Sequence, residues 1–105
     1  MMLLTKKNIK DFAKQGDTGL MEAKDIKIIA KFFNPTGAGT WYCYEYDVKE
    51  GIFYCFANLG TDMFAECGTI FLSDLTSTKC AFGLSIERDR NFTATLAEVQ
   101  NFSKR

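Results

Sequence analysis

The sequence predicts an α+β fold, a curved antiparallel β-meander of about four strands with an N-terminal and a C-terminal helix. Three observations carry this reading. Apolar residues recur at helical spacing behind Thr5 and again behind Thr95. Between those stretches the chain is rich in β-branched and aromatic residues, punctuated by glycine and asparagine turns. At 105 residues it fits a single domain spanning 1–105, and such a chain buries roughly two thirds of its unfolded surface, enough for one core without staples.

Thr5 is placed to cap a helix over residues 6–15. Ile9, Phe12 and Ala13 fall on one face, Leu4 is positioned to staple onto Ile9, Gly16 suits the C-terminal turn, and lysines crowd the back. Residues 17–25 are polar and loop-like. Residues 26–33 read as a first strand, ended by Asn34-Pro35-Thr36-Gly37-Ala38-Gly39. The second strand, Thr40–Asp47, is expected to put Trp41, Cys43 and Glu45 on one face and Tyr42, Tyr44 and Tyr46 on the other.

Val48-Lys49-Glu50-Gly51 connects this strand to a third, Ile52–Asn58, with Gly51 free to adopt positive φ in a hairpin. After a loop around 60–65, residues 66–72 read as a fourth strand, and Ser73 is placed to cap a short helical turn through Leu75. Residues 83–90 suit a short strand or an ordered loop equally well. Thr95 and Glu98 have capping-box spacing for a terminal helix carrying Leu96, Val99 and Phe102. The helices are expected against one face of the sheet.

Histidine is absent, so the usual general base and the Ser/His and Cys/His pairs are missing. The remaining set is Glu45, Asp47, Glu66, Glu87 and Asp89 with Lys31, on which a metal-dependent nuclease would draw, but its spacing matches no nuclease motif. Gly37 and Gly39 are turn glycines, because no G-K-[ST] follows them. Cys43, Cys55, Cys67 and Cys80 include no C-x-x-C pair and are expected as reduced thiols without metal. Cys43 and Cys55 flank the hairpin and can lie opposite each other, which leaves a disulfide geometrically open. A non-enzyme without cofactors is therefore expected. No segment approaches the ~20 apolar residues of a membrane span, and the N-terminus lacks a secretory h-region, so a cytoplasmic location is expected.

Charge is balanced at 13 basic and 13 acidic residues but unevenly distributed. Residues 1–44 carry seven lysines against four acids, and residues 75–105 five basic against three acidic. Residues 45–74 carry six acids against Lys49 alone, and they are also aromatic. Such a stretch suits a basic protein groove better than phosphates. The expected partner-binding residues are Glu45, Asp47, Glu50, Asp62 and Glu66 with Trp41 and Tyr46. The alternative is that these acids are only the solvent side of an antiparallel sheet. Direct nucleic-acid binding through the first helix is less expected, since a neutral chain lacks a basic stripe. Glu87, Arg88 and Asp89, followed by Arg90, read as a structural charge network tying the C-terminal part to the sheet.

Several short elements stand in a definite order: Leu3-Leu4-Thr5, Lys31-Phe32-Phe33-Asn34-Pro35, Thr40-Trp41-Tyr42, Leu72-Ser73-Asp74-Leu75, and Gly83-Leu84-Ser85-Ile86-Glu87-Arg88-Asp89-Arg90-Asn91-Phe92. In this order the chain resembles a family of small uncharacterised proteins borne on bacterial plasmids and phages, some of which look like anti-CRISPR proteins. The loop 36–39 and the cysteine-rich strands depart from that pattern. The resemblance implies a mobile-element inhibitor that binds a host protein, a type II CRISPR nuclease or its guide complex. The alternatives are a plasmid or phage accessory factor that binds DNA or a DNA-bound protein in replication or transfer, and a carboxylate-based metal-dependent nuclease.

Overall fold

The computed structural model describes residues 3–59 and 66–102. Its elements are α1 (Lys6–Gln15), β1 (Ala30–Phe33), β2 (Thr40–Asp47), β3 (Ile52–Asn58), β4 (Glu66–Phe71), α2 (Leu72–Ser77), β5 (Glu87–Asp89) and α3 (Leu96–Phe102). The fold is α+β, with all strands antiparallel in one open sheet of order β4-β3-β2-β1-β5. Five strands replace the four expected, because part of 83–90 becomes β5 and pairs with β1, Lys31 against Asp89. Among the described residues no helix is long and apolar enough to cross a membrane.

α1 starts where the sequence places it. Asn8 N–H donates to Thr5 Oγ1 at 3.1 Å, and Thr5 N–H donates back to Asn8 Oδ1 at 3.0 Å. Gly16, at φ 67°, closes the helix by donating to the Phe12 carbonyl. Of the expected apolar face only Phe12 is buried; Ile9 and Ala13 stay exposed. At the other end, Glu98 N–H donates to Thr95 Oγ1 and Thr95 N–H to Glu98 Oε1, the reciprocal pair expected for α3. Ser73 does not cap: α2 begins at Leu72, behind Phe71, two residues earlier than a cap at Ser73 would start it.

Helices cover both faces of the sheet rather than one. Phe12 of α1 and Leu75 of α2 join Ala30, Phe32, Cys43, Phe53 and Cys55 in one core. Leu96 and Val99 of α3 pack with Ile26, Ile28 and Phe56 in a second core, bordered by Tyr42 and Tyr44. Strand alternation sends neighbouring side chains to opposite faces, and β2 and β3 carry apolar groups on both, so each face needs its own cover. The first strand is correspondingly shorter than expected. Residues 26–28 leave the sheet to meet the segment before α3, with Ile28 N–H donating to the Ala94 carbonyl at 2.9 Å and Leu96 N–H to the Ile26 carbonyl at 2.8 Å.

A β-bulge in β2 decides where the charged side chains go. Cys43 pairs with Cys55 and Glu45 with Tyr54, so Tyr44 has no partner of its own on β3. The extra residue reverses the expected alternation. Tyr46 turns to the Cys43 face and stacks on Phe53, 4.4 Å between ring centroids, while Glu45 moves to the face of Tyr42. Gln15 at the end of α1 secures the irregular backbone. Its Nε2 donates to the Tyr44 carbonyl at 2.6 Å and to the Lys27 carbonyl at 2.9 Å, and its Oε1 accepts from Lys27 N–H.

Candidate functional site

The bulge and the β2–β3 turn gather carboxylates at one end of the sheet. Glu45 Oε1 accepts from both the N–H and the hydroxyl of buried Thr18, each at 2.8 Å, which pins the 17–19 loop against β2. Asp17 stands beside it, accepting from Gly19 N–H at 2.8 Å. Asp47 Oδ1 accepts from Lys49 N–H at 3.0 Å and Glu50 N–H at 3.2 Å, shaping the turn that Gly51 closes at φ 67°.

Between these groups lies a groove of about 440 Å³, with Asp17 and Glu45 at its rim, Tyr44 and Tyr54 as walls, and Ile26 and Leu96 below. An adjoining hollow of about 300 Å³ shares Asp17, Glu45 and Tyr54 and adds Tyr46 and Asp47. Burial pushes the Tyr44 hydroxyl up, reinforced by its hydrogen bond with Cys67, so it stays neutral. The groove thus presents aromatic rings and carboxylates together, a lining suited to a cationic side chain. None of Asp17, Glu45, Asp47 and Glu50 forms an ion pair among the described residues.

The expected partner-binding set is only partly brought together. Glu45, Asp47, Glu50 and the edge of Tyr46 converge here, although Glu45 spends one oxygen on Thr18 and Tyr46 is half buried on Phe53. Trp41 and Glu66 do not join them. Both are in register with Ala57, at the opposite end of β3 from the Asp47 turn and about 17 Å away at the rise of a strand. Trp41 is half buried against the core. Asp62 lies outside the described residues. Asp17, Tyr44 and Tyr54 were missed: Asp17 sits in a stretch that reads as plain loop, and the bulge that brings Glu45 to the face of Tyr44 and Tyr54 leaves no local mark.

The charge network at β5 is built, but not as paired side chains alone. Arg88 Nη1 donates to the Leu3 carbonyl at 2.7 Å, joining residues 85 apart. Lys31 Nζ lies 3.7 Å from Asp89 and over the rings of Phe92 and Tyr42 at 4.8 and 5.7 Å. Glu87 is exposed at the end of the strand.

Asp89 and Lys31 are thereby engaged with each other, on β5 and β1 rather than with Glu45 and Asp47 on β2. Among the described residues no three carboxylate or thiol groups lie together as a metal ion would require. All four cysteines are free thiols, and Cys43 and Cys55 face each other directly across β2 and β3, both buried. Burial pushes the Cys43 thiol well up, and its hydrogen bond leaves Cys55 the more easily ionised of the two.

No curated protein and no solved structure matches the chain. The family model described as "Protein of unknown function (DUF2958)" matches residues 3–103, nearly the whole sequence, and the chain belongs to that family.

Proposed function

We propose that this protein is a mobile-element-encoded binding protein, an anti-CRISPR-type inhibitor that docks its acidic end on a type II CRISPR nuclease or its guide complex. The observation that supports the reading is the gathering of Asp17 and Glu45 at one groove lined by Tyr44 and Tyr54, with Asp47 in the adjoining hollow, Glu50 in the turn beside it, and no ion pair to any of them among the described residues. Carboxylates left without an internal counter-charge favour a basic surface, and such nucleases hold their nucleic acids in positively charged channels.

Association rates with a type II nuclease, with and without its guide RNA, test this. The double variant Asp47→Asn/Glu50→Lys keeps the acceptor that shapes the turn while removing negative charge. Its affinity falls at least tenfold, about 1.4 kcal/mol, mostly through slower association and less so at high salt. Charge reversal at Lys6 and Lys10 leaves binding intact. Normal binding by the acidic-end variant together with loss in the lysine variant would falsify docking by the acidic end.

A second reading, an accessory factor that binds DNA or a DNA-bound protein, is favoured by one feature. Lys6, Lys10 and Lys14 form an exposed row along α1, about 6 Å apart at four-residue spacing, with no acidic partner among the described residues. Under this reading affinity for duplex DNA drops steeply with salt, and each lysine removed flattens that dependence.

A further inference from the structure

We propose that two copies of this chain pair through the outer edge of β4, joining their sheets into one antiparallel sheet about a two-fold axis. β4 ends the strand order, so among the described residues no strand lies beside its outer N–H and C=O groups.

The two edges of the sheet are built differently. β5 is three residues long and consists of Glu87, Arg88 and Asp89, the kind of charges that keep an edge from pairing. β4 has six residues in unbroken register with β3, from Ile52 against Phe71 to Ala57 against Glu66. It contains no proline, no lysine and no bulge, and its one charge, Glu66, stands at its start. Every residue of the strand but Ile70 is exposed, including Phe71 at 48%. Among the described residues nothing crowds the face of the sheet at its middle: a Cβ added at Gly68 would meet no atom within 4 Å.

The occupant is a second copy because the pairing rules and the charges agree on it. Two-fold antiparallel pairing keeps each residue on its own face only if the axis falls on a residue rather than between two. With the axis at Thr69, Gly68 meets Ile70 and Cys67 meets Phe71 of the other copy, so the exposed Cys67 and Phe71 side chains cover one another. The two Glu66 carboxylates then stand about 20 Å apart, six residues at the rise of a strand. The acidic β2–β3 turns fall at opposite ends of the pair, since the Phe71 end of β4 lies beside that turn. A chain of balanced charge adds no long-range repulsion between copies.

Sedimentation velocity at rising concentration, with hydrogen exchange on the same samples, tests the proposal. The wild-type chain shifts from monomer to dimer, and the amides of residues 66–71 exchange more slowly as it does, while those of 87–89 do not respond. Thr69→Lys sets two lysines directly opposite each other at the axis, their Cα atoms about 5.5 Å apart, and the dimer dissociation constant rises at least tenfold, with circular dichroism confirming the fold. Phe82→Ser removes an aromatic that is 94% exposed elsewhere and leaves the dimer unchanged. A monomer at every concentration overturns the proposal. So does a dimer that shows no protection in 66–71, a result that needs no variant to fold. A monomer that instead captures an extended peptide along β4 assigns the edge to another protein and overturns self-pairing.

Discussion

The acidic end of the sheet and the β5 edge are both charged, and they use charge in opposite ways. At β5 the cations are consumed internally: Arg88 serves the Leu3 carbonyl and Lys31 sits beside Asp89 over two aromatic rings. At the acidic end the carboxylates accept only from backbone amides and one hydroxyl of their own loops, so their negative charge remains to be met from outside. A charged run in a sequence is therefore ambiguous until its partners are known. The same residue types hold an edge together in one place and present a surface in the other.

The comparison can be broken most directly at Arg88. Arg88→Ala leaves the Leu3 carbonyl without its charged donor and costs about 2 kcal/mol, the scale of a hydrogen bond to a charged group. Thermal melts should show a drop of roughly 10 °C for a domain of this size. Arg88→Lys recovers part of it. A change as small as that of an exposed charge would mean that β5 too is only surface.

A smaller loss is expected at the acidic end, and there it is confined to one residue. Glu45→Ala strands the N–H and hydroxyl of buried Thr18 and costs about 1.5 kcal/mol, whereas Glu45→Gln keeps an acceptor and costs less. Glu50→Ala changes stability by no more than about 0.5 kcal/mol, because its carboxylate makes no internal contact among the described residues. Chemical denaturation of the three variants measures this. A large loss for Glu50→Ala would move it from the presented set to the structural one.

The gentlest probe is alkaline pH, which acts on the groups behind the two regions rather than on their charges. The Tyr42 and Tyr44 hydroxyls are both raised by burial, whereas in the Cys43–Cys55 pair one thiol is raised and the other lowered, so the two oppose each other. Where a folded-state pKa is raised, the folded chain holds more protons than the unfolded one, so stability falls as pH rises. The loss begins near pH 10, where unfolded tyrosine ionises, and grows above it. Melting temperature against pH should be level below that point and decline above it. Replacing Tyr44 with Phe removes part of the decline.

Much of the fold was legible because its determinants are local. The Thr5–Asn8 and Thr95–Glu98 exchanges, the Gly16 stop and the Gly51 turn each depend on residues within three or four positions of one another, and α1, α3 and the β2–β3 hairpin follow from them. The acidic bias of residues 45–74 was equally plain, and it located Glu45 at the groove and Asp47 in the adjoining hollow.

What only the tertiary structure decided is longer-ranged. The bulge at Tyr44 is tied to Gln15, 29 residues away, which satisfies its carbonyl. That one irregularity exchanges the faces of Glu45 and Tyr46 and brings Glu45 to Thr18 beside Asp17. β5 likewise exists by pairing with β1, a strand far away in the chain, which is why residues 83–90 read equally as strand or loop. Periodicity and caps register neighbours along the chain. Which face a charge finally occupies depends on backbone hydrogen bonds closed by distant residues, and no local pattern encodes those.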